Sequence, residues 1–197
     1  MKNGIKYSVL LVLFSGAVCA SQADDDAAKQ TYLQESRQIT QAFMQSLGGT
    51  LKQQLETTSA ENAIGVCKYV APALAADYSK DGRLVRRVSL KNRNKTLGQP
   101  DAWERDILEK FDQQKAQDIA TLETSEVMED SDGRWLRYMK AIPTQPMCLQ
   151  CHGQPSDLSA GVKAILAKEY PEDSATGYRV GDIRGAVSIK QKWPIQP

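Results

Sequence analysis

The apolar positions at the start of the chain recur with the period of an α-helix. Between about residues 26 and 47, one face is formed by Tyr32, Ser36, Ile39, Phe43 and Leu47. Glutamine, glutamate, lysine and arginine occupy many of the positions between them, so the pattern predicts an amphipathic helix. The pair Gly48-Gly49 is expected to interrupt or end this helix.

A second apolar stripe predicts another helix. It begins near Ser59 and steps by threes and fours from Ile64 through Cys67 to Tyr78, so Cys67 lies on the apolar face. Pro72 lies inside this run. Because proline has no N–H to donate, we expect a kink here, with the carbonyl four residues earlier left free.

The rest of the chain alternates mainly with the period of β-strands. Strands are predicted at residues 83–91, 119–128, 134–142 and 183–193, and helices at residues 101–114 and 158–169. Asp130-Ser131-Asp132-Gly133 is typical of a hairpin turn between two of the strands. The order of elements predicts one α+β domain with a mostly antiparallel sheet, N-terminal helices and flanking helices.

The first 23 residues have the pattern of a secretory signal peptide. Lys2 and Lys6 precede an apolar run of about ten residues, and plausible cleavage sites follow, the later one ending at Ala23. Cleavage there leaves a single domain, residues 24–197, whose N-terminal helical part covers about residues 26–80. We therefore expect a periplasmic protein. We expect no stable membrane span after cleavage, because the apolar run is short for a membrane anchor.

The charge balance argues against one class of partner. The chain has 25 lysines and arginines against 24 aspartates and glutamates, and loss of Lys2 and Lys6 leaves 23 against 24. A nearly neutral domain gives no reason to expect nucleic acid as a partner. The apolar face of the first predicted helix allows a homodimer as well as packing within the domain.

The stretch Cys148-Leu149-Gln150-Cys151-His152 carries the clearest chemical signal. Two cysteines three positions apart and followed by histidine are the attachment signature of a c-type haem. Cys148 and Cys151 would hold one haem covalently, and His152 would bind the iron from the proximal side. A structural zinc site that also recruits Cys67, or a redox dithiol, is the alternative. Zinc motifs usually bring a second ligand pair, and the chain lacks the βαβ order of thioredoxin-like proteins.

The sixth iron position has several candidate ligands. His152 is the only histidine, so ligation by two histidines is excluded. Methionine is the usual alternative, and four methionines follow the signal: Met44, Met128, Met139 and Met147. Cys67 competes as a thiolate on an apolar helical face, although a small buried cysteine more often serves only in packing. The residues by themselves leave this choice open.

Several short motifs occur in order along the chain. They are Ala63-Ile64-Gly65-Val66-Cys67 with Ala71-Pro72, then Arg86-Arg87-Val88-Ser89-Leu90-Lys91 with Arg93-Asn94, then Pro100-Asp101-Ala102-Trp103-Glu104, and finally Met147-Cys148-Leu149-Gln150-Cys151-His152-Gly153. Together they resemble the family of single-haem c-type haem-binding domains, formerly of unknown function. The resemblance covers roughly residues 30–193. One departure from the family pattern is the loop at residues 94–98.

This resemblance implies a fold and a ligand set. It implies a PAS-like domain in which the haem iron is held by the motif histidine and by a cysteine of the N-terminal helical part. Carried over to this chain, His152 is the proximal axial ligand and Cys67 the distal one.

Two arginines are candidates for contact with haem propionates. Arginine matches carboxylates with fork-shaped, permanently charged donors. Arg86 and Arg87 are neighbours on a predicted strand, so they should face opposite sides of the sheet. Arg87 and Arg93 are the predicted propionate contacts, with a solvated basic face as the alternative.

The ligand set predicts a redox function. A thiolate donor should stabilise ferric iron and lower its reduction potential relative to methionine–histidine ligation. We expect a monohaem protein for low-potential electron transfer or redox sensing that works with separate redox partner proteins. The alternative is a sensor of NO or CO in which the iron–Cys67 bond opens and a separate partner carries the signal. An enzyme such as a peroxidase is not expected, because no distal acid–base group is evident.

Overall fold

The centre of the fold is a four-stranded antiparallel sheet. The structure, a computed structural model, describes residues 17–114 and 118–193. In the sheet the strands follow the order β1-β4-β3-β2, so the last strand of the chain lies between the first and the third. The strands are β1 (Arg83–Val88), β2 (Glu123–Asp130), β3 (Gly133–Pro143) and β4 (Ile183–Lys192).

Helices surround this sheet. They are α1 (Ala17–Thr57), α2 (Ala60–Gly65), α3 (Ala71–Tyr78), α4 (Lys95–Gly98), α5 (Ala102–Gln113), α6 (Leu149–His152) and α7 (Ala160–Glu169). A π-helical turn, Val66–Val70, joins α2 to α3. Short 3-10 turns lie at Ile119–Thr121 and Pro146–Cys148.

The two faces of the sheet pack against different helices. On one face, Tyr32 and Phe43 of α1 pack with Val85 of β1 and Val187 of β4. On the other face, the buried side of α5 packs with Val88, Met139, Ala141 and Ala186. Alternate residues of each strand therefore serve two apolar layers. A third cluster joins α2 to α7 through Ile64, Leu158, Val162, Leu166 and Tyr170.

The α+β class with a PAS-like, mostly antiparallel sheet and N-terminal helices is confirmed. The predicted break at Gly48-Gly49 is wrong, because α1 continues to Thr57. Glycine in a helix costs only about 0.5–1 kcal/mol relative to alanine. Phe43, Leu47 and Leu51 pack on the sheet on both sides of the pair, which keeps the helix continuous.

Two further segments differ from the predicted pattern. Residues 119–121 form a 3-10 turn, and β2 begins only at Glu123, because the carboxylate of Asp118 accepts a hydrogen bond from the Ala120 N–H at 3.0 Å. The loop after β1 contains the short α4, which begins where the side chain of Asn94 accepts from the Leu97 N–H at 2.9 Å.

The predicted signal peptide covers residues 1–23, and residues 1–16 of it lie outside the described residues. Within residues 17–114 and 118–193, no helix combines the length and the apolar character that a membrane span requires.

Candidate functional site

Cys67 lies in the π-helical turn between α2 and α3. Pro72, the second residue of α3, has no N–H to donate, and its ring crowds the carbonyl four residues earlier. The N–H of Ala71 donates to the carbonyl of Val66, five residues back, which is the wide hydrogen bond of a π turn. The predicted kink at Pro72 thus takes the form of a widened turn that carries Cys67.

Polar contacts hold this turn against the C-terminal part of the chain. Lys68, in the π turn, forms an ion pair with Glu169 of α7. The hydroxyl of Ser159 at the start of α7 donates to Glu61 of α2 at 2.7 Å. Both contacts join segments about 100 residues apart in sequence. They fix Cys67 relative to the segment that carries the two-cysteine motif.

The two motif cysteines lie on short helical segments rather than in an open loop. Cys148 ends a 3-10 turn, and Cys151 lies in α6, with its Sγ 3.9 Å from the carbonyl oxygen of Ala60 in α2. Burial raises the pKa of the Cys151 thiol to about 11. Cys67, Cys148 and Cys151 form no disulfide bond.

His152 is buried and oriented by the backbone. Its Nδ1 lies 2.6 Å from the carbonyl oxygen of Ala175, which can only accept, so Nδ1 carries the proton. Nε2 is then the nitrogen with a lone pair for a metal, the usual arrangement of a ligating histidine. Burial, together with Arg184 and Arg93, holds the pKa of His152 well below its usual range, so the ring is the neutral form that binds metals.

Arg93 holds the segment that orients His152. Its Nε donates to Asp173 at 3.0 Å, and its Nη2 donates to the carbonyl oxygen of Cys151 at 2.5 Å. Asp173 in turn accepts from the N–H of Ala175 at 2.8 Å. These contacts connect Arg93 to the carbonyl that binds the histidine ring. The predicted propionate contact of Arg93 stays a prediction, and its protein contacts give Arg93 a positioning role.

A cavity of about 490 Å³ brings the predicted ligands together. Cys67 and His152 both line it, although 85 positions separate them in sequence. Leu84 and Leu97 also line it and remain about half exposed. A cavity of this size with apolar walls and a few polar groups suits a cofactor.

Arg87 and Arg86 take opposite sides of β1, as the strand pattern predicts. Arg87 shares the face of Val85, which packs toward α1 and α3. Arg86 donates to the carbonyl of Gln99 and lies 3.9 Å from Glu104 of α5, on the other face. Both arginines line the cavity, and the Nε of each is buried without a hydrogen-bond partner in the described part of the chain. Arg87, which has no carboxylate contact there, has donor capacity for an anionic ligand.

Arg184 is a site residue that the sequence pattern does not reveal. Pro143 of β3 pairs with Ile183, and Ile142 pairs with Gly185, so Arg184 is the extra residue of a β-bulge. Bulges redirect side chains and are frequent beside functional sites. The one signal in the sequence is a charged residue within the apolar run of residues 183–189, on a strand that the sheet order makes central.

Arg184 lies beside the unprotonated nitrogen of the histidine. Its Nε donates to Nε2 of His152 at 3.4 Å, and its Nη1 donates to the hydroxyl of Ser89 at 3.0 Å. Its guanidinium also lies 5.3 Å from the ring centre of Tyr178. Burial lowers the pKa of Arg184 to about 10, so the group is still a cation at neutral pH.

The methionines occupy other places. Met139 is fully buried in the cluster beneath α5, and Met44 packs against the cluster beneath α1. Among the described residues that line the cavity there is no methionine, whereas Cys67 is one of them. Nor does the described part of the chain contain three or more His, Cys, Asp or Glu side chains grouped so that they could hold a metal ion, as a structural zinc site would require.

These features define the class of the protein: a PAS-like α+β domain in which the histidine of a two-cysteine, one-histidine motif and a helix-borne cysteine line one cavity. The chain belongs to the Tll0287-like family, which matches residues 22–191. The crystal structure of the cyanobacterial heme-protein Tll0287 is similar to it, with a TM-score of 0.62 and 24% identity. That match covers 85% of this chain and 96% of that one. No curated protein matches the chain.

Proposed function

We propose that the protein is a periplasmic c-type haem protein with one covalently attached haem, serving low-potential electron transfer or redox sensing. The observation that carries this proposal is the position of Cys67 and His152 on the walls of one cavity. The membership of the Tll0287-like family, and the similarity to a solved structure described as a heme-protein, support it.

Each residue has a role in this proposal. Cys148 and Cys151 would bond the vinyl groups of the haem, and both are free thiols. His152 would bind the iron through Nε2, since Nδ1 is engaged by the Ala175 carbonyl, and the iron would replace the hydrogen bond that Nε2 accepts from Arg184. Cys67 would bind from the distal side. The iron held there would supply one-electron redox chemistry.

The walls of the cavity suit the two parts of a haem. Leu84 and Leu97 offer apolar surface that is half exposed without a ligand, as contact with a porphyrin ring requires. Arg87 offers a cationic donor for a propionate, and Arg93, the other predicted propionate contact, also holds the histidine segment. Apolar and cationic walls in one cavity fit a flat, apolar ring that carries two carboxylates.

The thiolate of Cys67 favours a redox role over catalysis. An anionic sulfur stabilises ferric iron and lowers the reduction potential relative to a methionine ligand. We propose exchange of electrons with separate redox partner proteins, and we propose no catalytic role. The apolar face of α1 that packs on the sheet serves the domain itself, and a homodimer remains a prediction from the sequence.

Covalent attachment is tested by export of the full chain from cells that carry the haem c maturation machinery. The purified periplasmic protein should gain the mass of one haem, and the haem should stay on the denatured chain. Cys148→Ala and Cys151→Ala should each lose one thioether bond, whereas Cys67→Ser should keep the covalent haem. Periplasmic protein without covalent haem would overturn the proposal.

Carbon monoxide separates electron transfer from gas sensing. Reversible redox cycling without CO binding to the reduced protein supports electron transfer or redox sensing. Rapid CO binding with loss of the Cys67 ligand would instead support the alternative function as a gas sensor. The measurement is an absorbance titration with and without CO.

A further inference from the structure

Arg184 differs from Arg93, another buried arginine of the cavity, in its surroundings. It is 8% exposed, and its contacts with the described residues are all neutral: the Ser89 hydroxyl, the Lys91 carbonyl, the His152 imidazole and the Tyr178 ring. A buried charge without a counter-ion is costly, because its hydration is lost and nothing replaces it. The position therefore calls for an anion.

The comparison with Arg93 makes this contrast concrete. Arg93 is equally buried, but Asp173 neutralises it at 3.0 Å. Among the contacts of Arg184 in the described residues there is no carboxylate. Both arginines line the same cavity.

The backbone around Arg184 is built to aim this side chain. Arg184 is the unpaired residue of the bulge opposite Pro143, which has no N–H to complete a regular ladder. The following residue, Gly185, lies so close to β1 that a Cβ there would be 2.4 Å from the Val88 carbonyl oxygen. Only glycine allows this approach, so the bulge and the glycine together set the direction of Arg184.

We propose that Arg184 binds a carboxylate of the cofactor, one haem propionate, and that its charge raises the reduction potential of the iron. This inference rests on the proposed function. The planar guanidinium matches a carboxylate with two parallel donors. Reduction adds one negative charge at the iron, and a cation in a buried site stabilises that charge. Arg184 thereby offsets part of the lowering that the Cys67 thiolate causes.

The test compares haem-loaded wild type with Arg184→Gln, Arg184→Lys and Arg105→Gln. Arg105 is exposed on α5 and controls for the loss of one positive charge. We expect Arg184→Gln to lower the midpoint potential and to shift the propionate bending band in the resonance Raman spectrum. Arg105→Gln should change neither. A wild-type potential and an unshifted band in Arg184→Gln would overturn the inference.

Arg184→Lys keeps the test decisive if Arg184→Gln does not fold. The ammonium retains the charge but lacks the planar fork, so the propionate band should shift while the potential stays near that of wild type. An unshifted band in Arg184→Lys would also contradict the inference. The proposed function fails in a different way, because wild type would then carry no covalent haem. If wild type carries covalent haem but the Arg184 variants keep the wild-type potential and propionate band, the inference is contradicted while the proposed function stands.

Discussion

Pro72 follows Cys67 by five residues, and the missing N–H of Pro72 is the reason that Cys67 lies on a widened turn. The Ala71 N–H reaches back to Val66 in place of the regular hydrogen bond. Both Pro72 and Cys67 line the cavity. A backbone irregularity next to a candidate ligand connects the local sequence directly to the site.

Replacement of this proline should disturb Cys67, the proposed iron ligand, more than it disturbs the fold. Pro72→Ala restores an N–H and allows the turn to close into regular α-helix, which rotates Cys67 away from its present direction. We expect unchanged far-ultraviolet circular dichroism together with partial loss of the thiolate-ligated ferric spectrum. Pro155→Ala, at an exposed proline outside the cavity, is the matched control. A wild-type spectrum in Pro72→Ala would contradict this role for the turn.

Part of the site could be predicted from the sequence because it depends on local rules. The motif spacing identifies Cys148, Cys151 and His152, and helical periodicity puts Cys67 on an apolar face. Strand alternation correctly puts Arg86 and Arg87 on opposite faces of β1, although both line the cavity. Each of these inferences needs only neighbouring residues.

Asp173 and Glu172 allow a test of the contacts through which Arg93 holds the segment that orients His152. The side chains of Arg93 and Asp173 are 6% and 9% exposed, so their ion pair is buried. Asp173→Asn breaks this pair and should lower the unfolding free energy by about 3–5 kcal/mol. The side chains of Glu172 and Lys95 are 64% and 57% exposed. Glu172→Gln breaks this exposed ion pair and should lower the unfolding free energy by at most about 1 kcal/mol. Urea unfolding of both variants measures the two losses of unfolding free energy. Equal losses would contradict a structural role for the buried pair of Arg93 and Asp173.

The unbroken course of α1 predicts a stabilising substitution. Gly49 lies in the helix, and no neighbouring group comes within 4 Å of the place that a Cβ would take, so alanine fits there without a clash. Gly49→Ala should raise the unfolding free energy by about 0.5–1 kcal/mol. If the chain instead turned at this glycine pair, the same substitution would destabilise the protein. Thermal or urea unfolding distinguishes the two signs.

The ion pair between half-exposed Asp101 and buried Arg137 predicts a pH dependence. Burial raises the pKa of Asp101, but the hydrogen bonds from Arg137 at 2.7 Å and from the Glu104 N–H at 2.9 Å outweigh it and hold the pKa below 3.8. This carboxylate therefore stabilises the fold fully above pH 3.8, and the contribution is lost as the pH falls through the lower folded value.

Asp101→Asn isolates this effect, because asparagine keeps the helix cap of α5. The variant should be less stable than wild type at pH 7, and the difference should shrink below about pH 4. Urea unfolding across this range measures it. A difference that is constant with pH would exclude Asp101 as the titrating group.

Arg184 could not be predicted because its role depends on the register between β3 and β4. Residues 40 positions apart must pair before the bulge at Pro143 exists, and the bulge decides where the arginine points. The prediction of a break in α1 was wrong for a similar reason. The low helix propensity of glycine is a local penalty. The packing of Leu47 and Leu51 on the sheet is a tertiary effect, and it outweighs that penalty.

Axial ligation by Cys67 and His152 is the central claim, and a ligand exchange at residue 67 tests it most directly. The measurement is the ferric absorption and EPR spectrum with the midpoint potential, in wild type, Cys67→Ser and Cys67→Met. Wild type should show low-spin thiolate ligation, Cys67→Ser should lose it, and Cys67→Met should have a higher potential because methionine–histidine ligation favours ferrous iron. A wild-type spectrum and potential in Cys67→Ser would contradict the claim.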